Sequence, residues 1–437
     1  MRRDGVPLRP TAPLDIPVKP TKFLLFAAIM MKRIHFAALL TVLAIANLTA
    51  QDPAPPVSST LVSVRDCGAK GDGVTDDSRA FQQAFEQAAA SDHALVRIPP
   101  GAYQLKQQVS VEFKGAVGNG FAVVGDGQGV SVIHCANTSG ALRIRSELCQ
   151  TQVTVRDLTL MADIPDAGTA IEVSSSLRGV RNYRTLTVQN VDMRCNSLPT
   201  RNFFSRGLNA TAQWRPIFQN VVFSGILDPK LSESDPANDG LRHKPEYGFC
   251  ADWSYAPVFQ NCYAWACHTG YRVVSRDLKP EGPEDSAFYR CTAVGTRIGM
   301  DIDTPIIEPQ LVMDACHINC REAGVRLRNR KFFHITNCLF YSQTEDKVPY
   351  TDIDIANCWA GLVTGNMFHS PHPQNARKEP SSKRTCIAID KDSKHISITG
   401  NIFNGKGIAI RAEDGSTDIQ TQPNPVINPQ VIGPDKG

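Results

Sequence analysis

Two short patterns of alternating apolar and polar residues recur along most of the chain. The first is a strand-like segment that ends in Asn or a substitute, followed by a small or apolar residue, as in LTVQNVDM (186–193) and PVFQNCYA (257–264). The second is a short alternating segment that usually opens with Gly, as in GMDIDT (299–304) and GVRLRN (324–329). The two alternate, and nothing between them has the 3.6-residue period of a helix, so the pattern predicts short strands separated by turns.

The spacing of these segments predicts the fold class. Where the repeat is tightest it recurs every 22 to 25 residues, as from Cys316 to Cys338 and from Gly299 to Gly324. A coil of that length with two or three short strands is typical of a right-handed parallel β-helix, an all-β solenoid. An antiparallel β-sandwich also has many short strands, but the strict repeat disfavours it.

The equivalent positions of successive coils predict columns of side chains. We expect Asn220, Asn261 and Asn337 to stack in one inward-facing column, in which each amide bonds the backbone of the next coil. The chain has 13 cysteines, and four of them occupy the same point of the repeat: Cys262, Cys291, Cys316 and Cys338. We expect these four thiols to be buried and unbridged, because a column of small apolar side chains inside a solenoid needs no disulfides.

The start of the chain resembles a targeting segment. A basic head at Met31–Arg33 precedes an apolar run from Phe36 to Leu48 and a zone of small residues, which is the pattern of a secretory signal peptide. Cleavage after Ala46 fits the small-residue rule better than cleavage after Ala50. A single membrane anchor is the alternative, which the shortness of the run disfavours. The protein is therefore predicted to be secreted, periplasmic or at the cell surface.

The predicted organisation has five parts. They are a prefix that is either upstream of the true start or disordered, the signal peptide, a flexible leader, one β-helix domain and a tail: residues 1–30, 31–50, 51–61, 62–418 and 419–437. No apolar run after the signal is long enough to span a bilayer.

Charge excludes one class of partner. Residues 1–50 hold seven of the 46 Lys and Arg and two of the 43 Asp and Glu, which leaves a nearly balanced body of 39 basic and 41 acidic residues. A nucleic-acid binder driven by charge is therefore not expected.

The first part of the body, residues 62–105, predicts a cap for the solenoid. Residues 64–88 (VRDCGAKGDGVTDDSRAFQQAFEQA) predict a strand, a Gly-rich turn and a helix that Thr75 or Asp76 caps, with acidic residues in its first turn. The helix carries an apolar face that suits it to cover the open end of the coils: Ala80, Phe81, Ala84, Phe85 and Ala88.

Asp66–Ser78 (DCGAKGDGVTDDS) resembles the N-terminal signature of the pectate-lyase-like β-helix superfamily, which includes rhamnogalacturonase-type, polygalacturonase-related and epimerase-like proteins. The resemblance implies a secreted or surface protein that acts on polysaccharide. It does not fix the reaction, since this scaffold serves hydrolases, lyases, epimerases and inactive relatives. The catalytic segments of polygalacturonase-like members do not occur here in the order that those proteins have. Residues 238–240 (NDG) and 268–270 (HTG) match such segments only in part. No family catalytic residue is therefore carried over.

Alternation along the Gly-opened strands predicts a charged outer face. One outward row should contain Arg272, Asp301, Arg326 and Asp354, and the next Val274, Asp303, Arg328 and Ala356. We predict Asp301, Asp303 and Asp354 as catalytic residues, and Arg272, Arg326 and Arg328 as binding residues for the carboxylates of a uronate. Two coils separate Asp301 from Asp354 by about 9–10 Å, and about 6.6 Å separates Asp301 from Asp303. Both distances suit the acid–base pair of an inverting glycosidase. The alternative is a charge ladder, that is, a row of oppositely charged side chains on adjacent strands that only stabilises the sheet.

Other candidate residues are weaker. Long polar inserts suited to walling a groove occur at Leu227–Tyr247, Asp277–Ser286, Ser342–Tyr350 and Ser370–Thr385. Exposed indoles could stack on sugar rings, although a core position is the more common one for each: Trp253, Trp265 and Trp359. Structural roles are expected for His268, His317 and His334, with His268 the best catalytic candidate of the three. No cofactor is predicted; calcium is left open without support from the sequence, because GDGVTDD lacks the ligand spacing of an EF-hand calcium loop, and no zinc-type ligand cluster occurs.

The sequence therefore predicts an exported enzyme, a glycoside hydrolase or polysaccharide lyase, that cleaves or modifies an acidic polysaccharide. The alternative is a non-catalytic β-helix that binds glycan or serves as a cell-surface structural protein.

Overall fold

The structure, a computed structural model, describes the part of the chain between residues 59 and 427, with gaps. The described ranges are 59–91, 93–114, 120–148, 151–177, 183–195, 201–226, 240, 242–275, 282–341, 349–369, 383–405, 407–421 and 424–427. The predicted prefix and signal peptide lie outside them, as do most of the four inserts.

All strand pairs are parallel, and strands from successive coils form three stacks. The first stack contains β1 (Ser59–Ser63), β3 (His93–Ile98), β6 (Gly120–Gly125), the first parts of β9 (Gln152–Ala162), β11 (Leu186–Cys195) and β13 (Ile217–Ser224), then β15 (Val258–Gln260), β18 (Ser286–Tyr289), β20 (Glu308–Asp314), β22 (Arg330–Thr336), β25 (Trp359–Thr364), β28 (Lys394–Thr399) and β31 (Thr417–Thr421).

The second stack contains β2 (Asp72–Asp76), β4 (Gly101–Leu105), β7 (Ser131–Cys135), the second parts of β9, β11 and β13, β16 (Tyr263–Trp265), the first parts of β19 (Thr292–Asp303) and β21 (His317–Arg328), then β23 (Leu339–Tyr341), β26 (Met367–His369), β29 (Ile402–Asn404) and β32 (Val426–Ile427).

The third stack contains β5 (Val109–Phe113), β8 (Gly140–Leu148), β10 (Thr169–Leu177), β12 (Arg206–Thr211), β14 (Tyr247–Asp252), β17 (Thr269–Val274), the second parts of β19 and β21, then β24 (Tyr350–Ala356), β27 (Arg384–Ile389) and β30 (Ile408–Ala412). The predicted fold, a right-handed parallel β-helix with an N-terminal helix, is confirmed.

The core lies between the three stacks, and like side chains stack on like from coil to coil. The rings of Phe218, Phe259 and Phe288 follow one another with centroids 4.7 and 4.8 Å apart. In the third stack the residues predicted to face inward are fully buried: Met300, Ile302, Val325, Leu327, Ile353 and Ile355. Each such side chain contributes about 1.5–3 kcal/mol when removed from water.

Helix α1 (Ser78–Ala89) covers the first coil with the predicted apolar face, all of which is buried. Its N-terminus differs from the prediction. The helix begins after Asp77, whose carboxylate accepts the N–H groups of Lys70 (2.6 Å) and Gly71 (3.2 Å) instead of a helix N–H. The first helical N–H, that of Ser78, is accepted by Asp76 at 3.1 Å. The first turn contains no acidic residue.

The Asn column lies at the corner between the first and second stacks. Asn261 donates to Asn220 at 2.8 Å, and Asn220 donates to Asn190 at 3.1 Å. Asn337 occupies the same corner after two intervening coils. The predicted inward direction is wrong: Asn261 and Asn337 are exposed, because this corner requires a positive φ of 52–55° that turns the side chain outward. Asn tolerates this conformation better than most residues.

The residue after this corner points inward. Cys262, Cys291, Cys316 and Cys338 occupy it, and all four are buried and free of disulfides, as predicted. In the later coils an asparagine takes the position: Asn366 accepts the N–H of Cys338 at 2.9 Å and so continues the column. Among the described residues, none of the helices is long and apolar enough to span a membrane.

Candidate functional site

The strand register brings the predicted site residues together on the outer side of the third stack. Arg272 is the register partner of Asp301, Asp301 of Arg326, and Arg326 of Asp354. Neighbours in this row are therefore about 4.8 Å apart along the solenoid. Their side chains are 22–33% exposed, so the row is open to solvent.

The second predicted row lies beside the first. Asp303 follows Asp301 by two residues on β19, and Arg328 follows Arg326 by two residues on β21. Val274, the register partner of Asp303, is buried, so the carboxylate has an apolar neighbour on one side.

Most of the charges on this face are paired. Arg328 forms an ion pair with Asp354 and also donates to its backbone oxygen at 2.8 Å. Arg326 forms an ion pair with Glu322 on its own strand. Arg272 Nε lies 3.7 Å from Asp301 Oδ2, which is a loose contact. These pairs are what a charge ladder requires.

Asp303 is different. It is exposed and forms no ion pair with any of the described residues. Partial loss of water raises its pKa, Asp301 raises it further, and Arg328 and Arg272 oppose the shift. Asp303 therefore keeps its proton to a higher pH than an ordinary aspartate does, which is a property that a general acid needs.

His268 lies directly before β17, at the edge of the same face. Burial and the nearby guanidinium of Arg297 lower its pKa, and Glu322 opposes the shift. Its Nδ1 lies 3.0 Å from Thr269 Oγ1, which fixes the orientation of the ring. The imidazole is neutral at neutral pH and therefore able to accept a proton.

Sequence reasoning missed several members of this face. The charged residues Arg297 and Glu322 lie in the coils after His268, each two residues before the Gly that opens the strand. The sequence carried the signal, since EYG, HTG, RIG and EAG repeat at 246–248, 268–270, 297–299 and 322–324. Tyr247, from the first of these, lies under Arg272, whose guanidinium is 5.7 Å from the ring centroid.

We call the outward group on these strands the charged surface. It consists of His268, Arg272, Arg297, Asp301, Asp303, Glu322, Arg326, Arg328 and Asp354. It holds guanidinium groups that suit carboxylates, one neutral imidazole and one carboxyl group of raised pKa, and so provides the parts of a proton-transfer site for an anionic substrate.

The remaining candidates lie elsewhere. Trp253 and Trp265 are partly buried, whereas Trp359 is 39% exposed on the first stack. His317 begins β21 in the second stack and His334 is exposed on β22 in the first. Within the described ranges, no three His, Cys, Asp or Glu side chains are arranged to hold a metal ion.

A family model matches residues 61–272, the part of the body that contains helix α1 and the strands up to β17. Its description is "Rhamnogalacturonase A/epimerase, pectate lyase-like". The resemblance to the pectate-lyase-like superfamily is thereby confirmed. Most of the charged surface follows the matched region.

Individual relatives are distant. A glucan 1,3-β-glucosidase from Cochliobolus carbonum is 31% identical over 109 residues, which is 22% of this chain and 13% of that enzyme. The chain thus spans about an eighth of that relative's length.

Solved structures support the fold. The A-module of the mannuronan C-5 epimerase AlgE4 from Azotobacter vinelandii is similar with a TM-score of 0.57 and 19% identity, over 86% of this chain and 98% of that one. The surface adhesin PfbA of Streptococcus pneumoniae gives a TM-score of 0.52 and 13% identity, over 84% and 91%. At these identities the similarity concerns the fold alone.

Proposed function

We propose that the protein is a carbohydrate-active enzyme that cleaves or modifies an acidic polysaccharide on the charged surface. The observation that carries this proposal is the pairing pattern there: Asp303 stays exposed and unpaired among the described residues, with a raised pKa, while guanidinium groups lie around it. A surface that served only as a ladder would have no need of an unpaired carboxylate at this place.

The guanidinium groups supply recognition. Arg272 makes one long contact to Asp301 and lies against the ring of Tyr247. These contacts orient the guanidinium and leave it able to form further hydrogen bonds. A planar guanidinium in this state can bind the carboxylate of a uronate through two parallel hydrogen bonds. Arg326, two coils further along, is the second candidate for the same role.

The proton-transfer groups allow two reactions. In a lyase or an epimerase, an arginine neutralises the substrate carboxylate while neutral His268 removes the proton from the carbon next to it. In a lyase the glycosidic bond then breaks, and its oxygen leaves with a proton from Asp303. In an epimerase a proton returns to the same carbon from the opposite side of the ring. In a hydrolase, Asp303 protonates the leaving oxygen, and Asp301, about 6.6 Å away along the strand, activates water. The named activities of the relatives, a mannuronan epimerase and a glucan glucosidase, support a carbohydrate substrate.

The cellular location belongs to the same proposal. The signal-like segment at residues 31–50 supports export to the compartment where extracellular or wall polysaccharides occur.

The test is a panel of uronate and neutral polysaccharides incubated with the protein lacking residues 1–50. Reducing ends are assayed beside the ultraviolet absorbance of unsaturated sugars, and nuclear magnetic resonance detects epimerised residues. Reducing ends alone identify a hydrolase, both signals identify a lyase, and changed residues without cleavage identify an epimerase. Absence of all three on every uronate polymer would refute the proposal.

A second function is supported by the paired charges. Arg326–Glu322 and Arg328–Asp354 satisfy each other, as a purely structural ladder would. A non-catalytic glycan-binding protein fits this pattern, and retained binding without turnover in the same panel would identify it.

A further inference from the structure

Two large aromatic side chains are exposed side by side on the outer side of the first stack. Phe332 on β22 is 49% exposed and Trp359 on β25 is 39% exposed. Their ring centroids are 5.9 Å apart, at an interplanar angle of 39°. Single exposed aromatic residues are ordinary, but two in contact form a continuous apolar patch, which is a feature that binding surfaces share.

Two lysines flank this pair. Lys331 and Lys394 are the register partners of Trp359 on the two neighbouring strands, and Lys394 Nζ lies 5.8 Å from the indole ring. His395 adjoins Trp359 with ring centroids 6.4 Å apart, and Asp418 lies 2.8 Å from its Nδ1. We call Lys331, Phe332, Trp359, Lys394 and His395 the aromatic surface.

The backbone under Phe332 supports a role in binding. Phe332 has a φ of +58°, a conformation that is unfavourable for a bulky residue. The same position in the neighbouring coils holds Ala360 and His395 with φ values of 54° and 57°, so the coil geometry imposes it. A phenylalanine that is strained and still half exposed gains only part of the usual benefit of burial, which favours a role in binding.

The aromatic surface lies one corner away from the charged surface and on the same coils. Arg328 ends β21, Asn329 turns the corner, and Phe332 follows three residues later. On the next coil Asp354 precedes Trp359 by five residues. The chain path between the two surfaces is at most about 13–17 Å.

We propose that the aromatic surface is a second binding site for the acidic polysaccharide that the charged surface acts on. The faces of sugar rings stack on Trp359 and Phe332, and the two lysines bind the carboxylates of neighbouring sugars. The substrate class rests on the proposed function. The short distance to the charged surface and the two lysines beside the rings favour this occupant over an apolar protein partner.

The test compares Trp359→Ala, Phe332→Ala and a matched control, Tyr289→Ala. Tyr289 lies on β18 of the first stack, is also 39% exposed, and is outside the aromatic surface. Titration with long-chain polymannuronate and with long-chain polygalacturonate should show, for at least one of them, about tenfold weaker binding by each of the two test variants, which corresponds to about 1.4 kcal/mol. Binding of neither polymer by the unmodified protein would overturn the inference. Tyr289→Ala should bind as the unmodified protein does. Lys394→Gln should weaken binding and reduce its salt dependence.

The outcomes separate this inference from the proposed function. Weaker polymer binding by Trp359→Ala in a protein without turnover supports the aromatic surface and refutes only the enzymatic function. Turnover and binding that are equal in Trp359→Ala and Tyr289→Ala, for polymers of every length, overturn the aromatic surface alone. Sedimentation is measured on the same samples, and a change of oligomeric state in Trp359→Ala without a change in glycan binding overturns it as well, since a second copy would then be the occupant.

Discussion

Asp352 and Asp354 lie two residues apart on β24, and their environments are opposite. Asp352 is fully buried and pairs with Arg384, itself 2% exposed, through Nε at 2.8 Å and Nη2 at 2.6 Å. Asp354 is 33% exposed and pairs with Arg328 on the outer side. The two ion pairs use the same chemical groups on neighbouring positions of one stack.

This difference in burial indicates which of the two ion pairs the stability of the fold depends on. Burial raises the pKa of Asp352 and Arg384 opposes the shift, so each partner of this pair compensates for the lost hydration of the other. The outer pair keeps water and is screened by salt, which leaves it a contribution of at most about 1 kcal/mol. Substitutions on the outer side therefore report on function, and substitutions on the inner side report on stability.

The largest expected effect is on the rate of Asp303→Asn. Loss of a general acid should lower kcat on the confirmed substrate about 10²–10⁴-fold. Stability should not fall. A pKa raised in the folded state means that ionised Asp303 is less favourable in the folded protein than in the unfolded chain, and this cost is present above the raised pKa and disappears as the pH falls through it. Asparagine removes the charge, so the melting temperature should stay equal or rise slightly.

The pH–rate profile is the companion measurement. A raised pKa keeps the proton on Asp303 to a higher pH than on an ordinary aspartate, and activity should fall as the pH rises through that value. Asp303→Asn should lose this limb of the profile. Asp354→Asn is the comparison, because Asp354 is also predicted from the sequence to be catalytic but has its carboxylate held by Arg328; we expect this variant to keep the profile. Equal, full activity in both variants would mean that the charged surface is a ladder.

Much of the fold could be predicted from the sequence because the repeat is a property of neighbouring coils. Aligning the strands at the Gly that opens each of them shows which positions are apolar in every coil. Val325 and Leu327 occupy such positions, so they were expected to face inward. The helix start was misplaced, because Thr75, Asp76 and Asp77 are all good capping residues and the sequence does not show which carboxylate the Gly-rich turn uses. The predicted direction of Asn261 was wrong, because a recurring Asn fits both an inward-facing ladder and a corner at positive φ, and the apolar–polar pattern does not distinguish the two.

The candidate site could be predicted only where inward- and outward-facing side chains alternate strictly along a strand. This alternation placed Asp301, Arg326 and Asp354 in one row, as the register shows. Alternation breaks at the Gly position that opens each third-stack strand. Asp352 occupies that position on β24 and is fully buried, although strict alternation from Ile353 would place it on the outer side. The partner of Arg326, Glu322, lies beyond the same break and was missed for that reason.

Arg384→Met should have the largest effect on stability. It leaves the Asp352 carboxylate buried without its counter-charge, and breaking a buried pair in this way typically costs about 3–5 kcal/mol. The free energy of unfolding is measured by urea denaturation. The matched control is Arg411→Met, an exposed arginine on the outer side of the next strand of the stack, which should change stability by less than about 0.5 kcal/mol. A similar small change in both variants would contradict the distinction between inner and outer pairs.

The smallest expected effect belongs to the outer pair itself. Asp354→Asn removes the partner of Arg328 but leaves the arginine in contact with water and with the backbone oxygen of residue 354 at 2.8 Å. The free energy of unfolding should therefore fall by at most about 1 kcal/mol. The loss should shrink as salt is raised from about 0.01 M to 1 M, because the screening length falls from about 30 Å to about 3 Å. Arg384→Met should lose the same stability at both salt concentrations, since its pair is shielded from ions. A loss in Asp354→Asn that is large and insensitive to salt would show that the outer pair, like the inner one, holds the coils together.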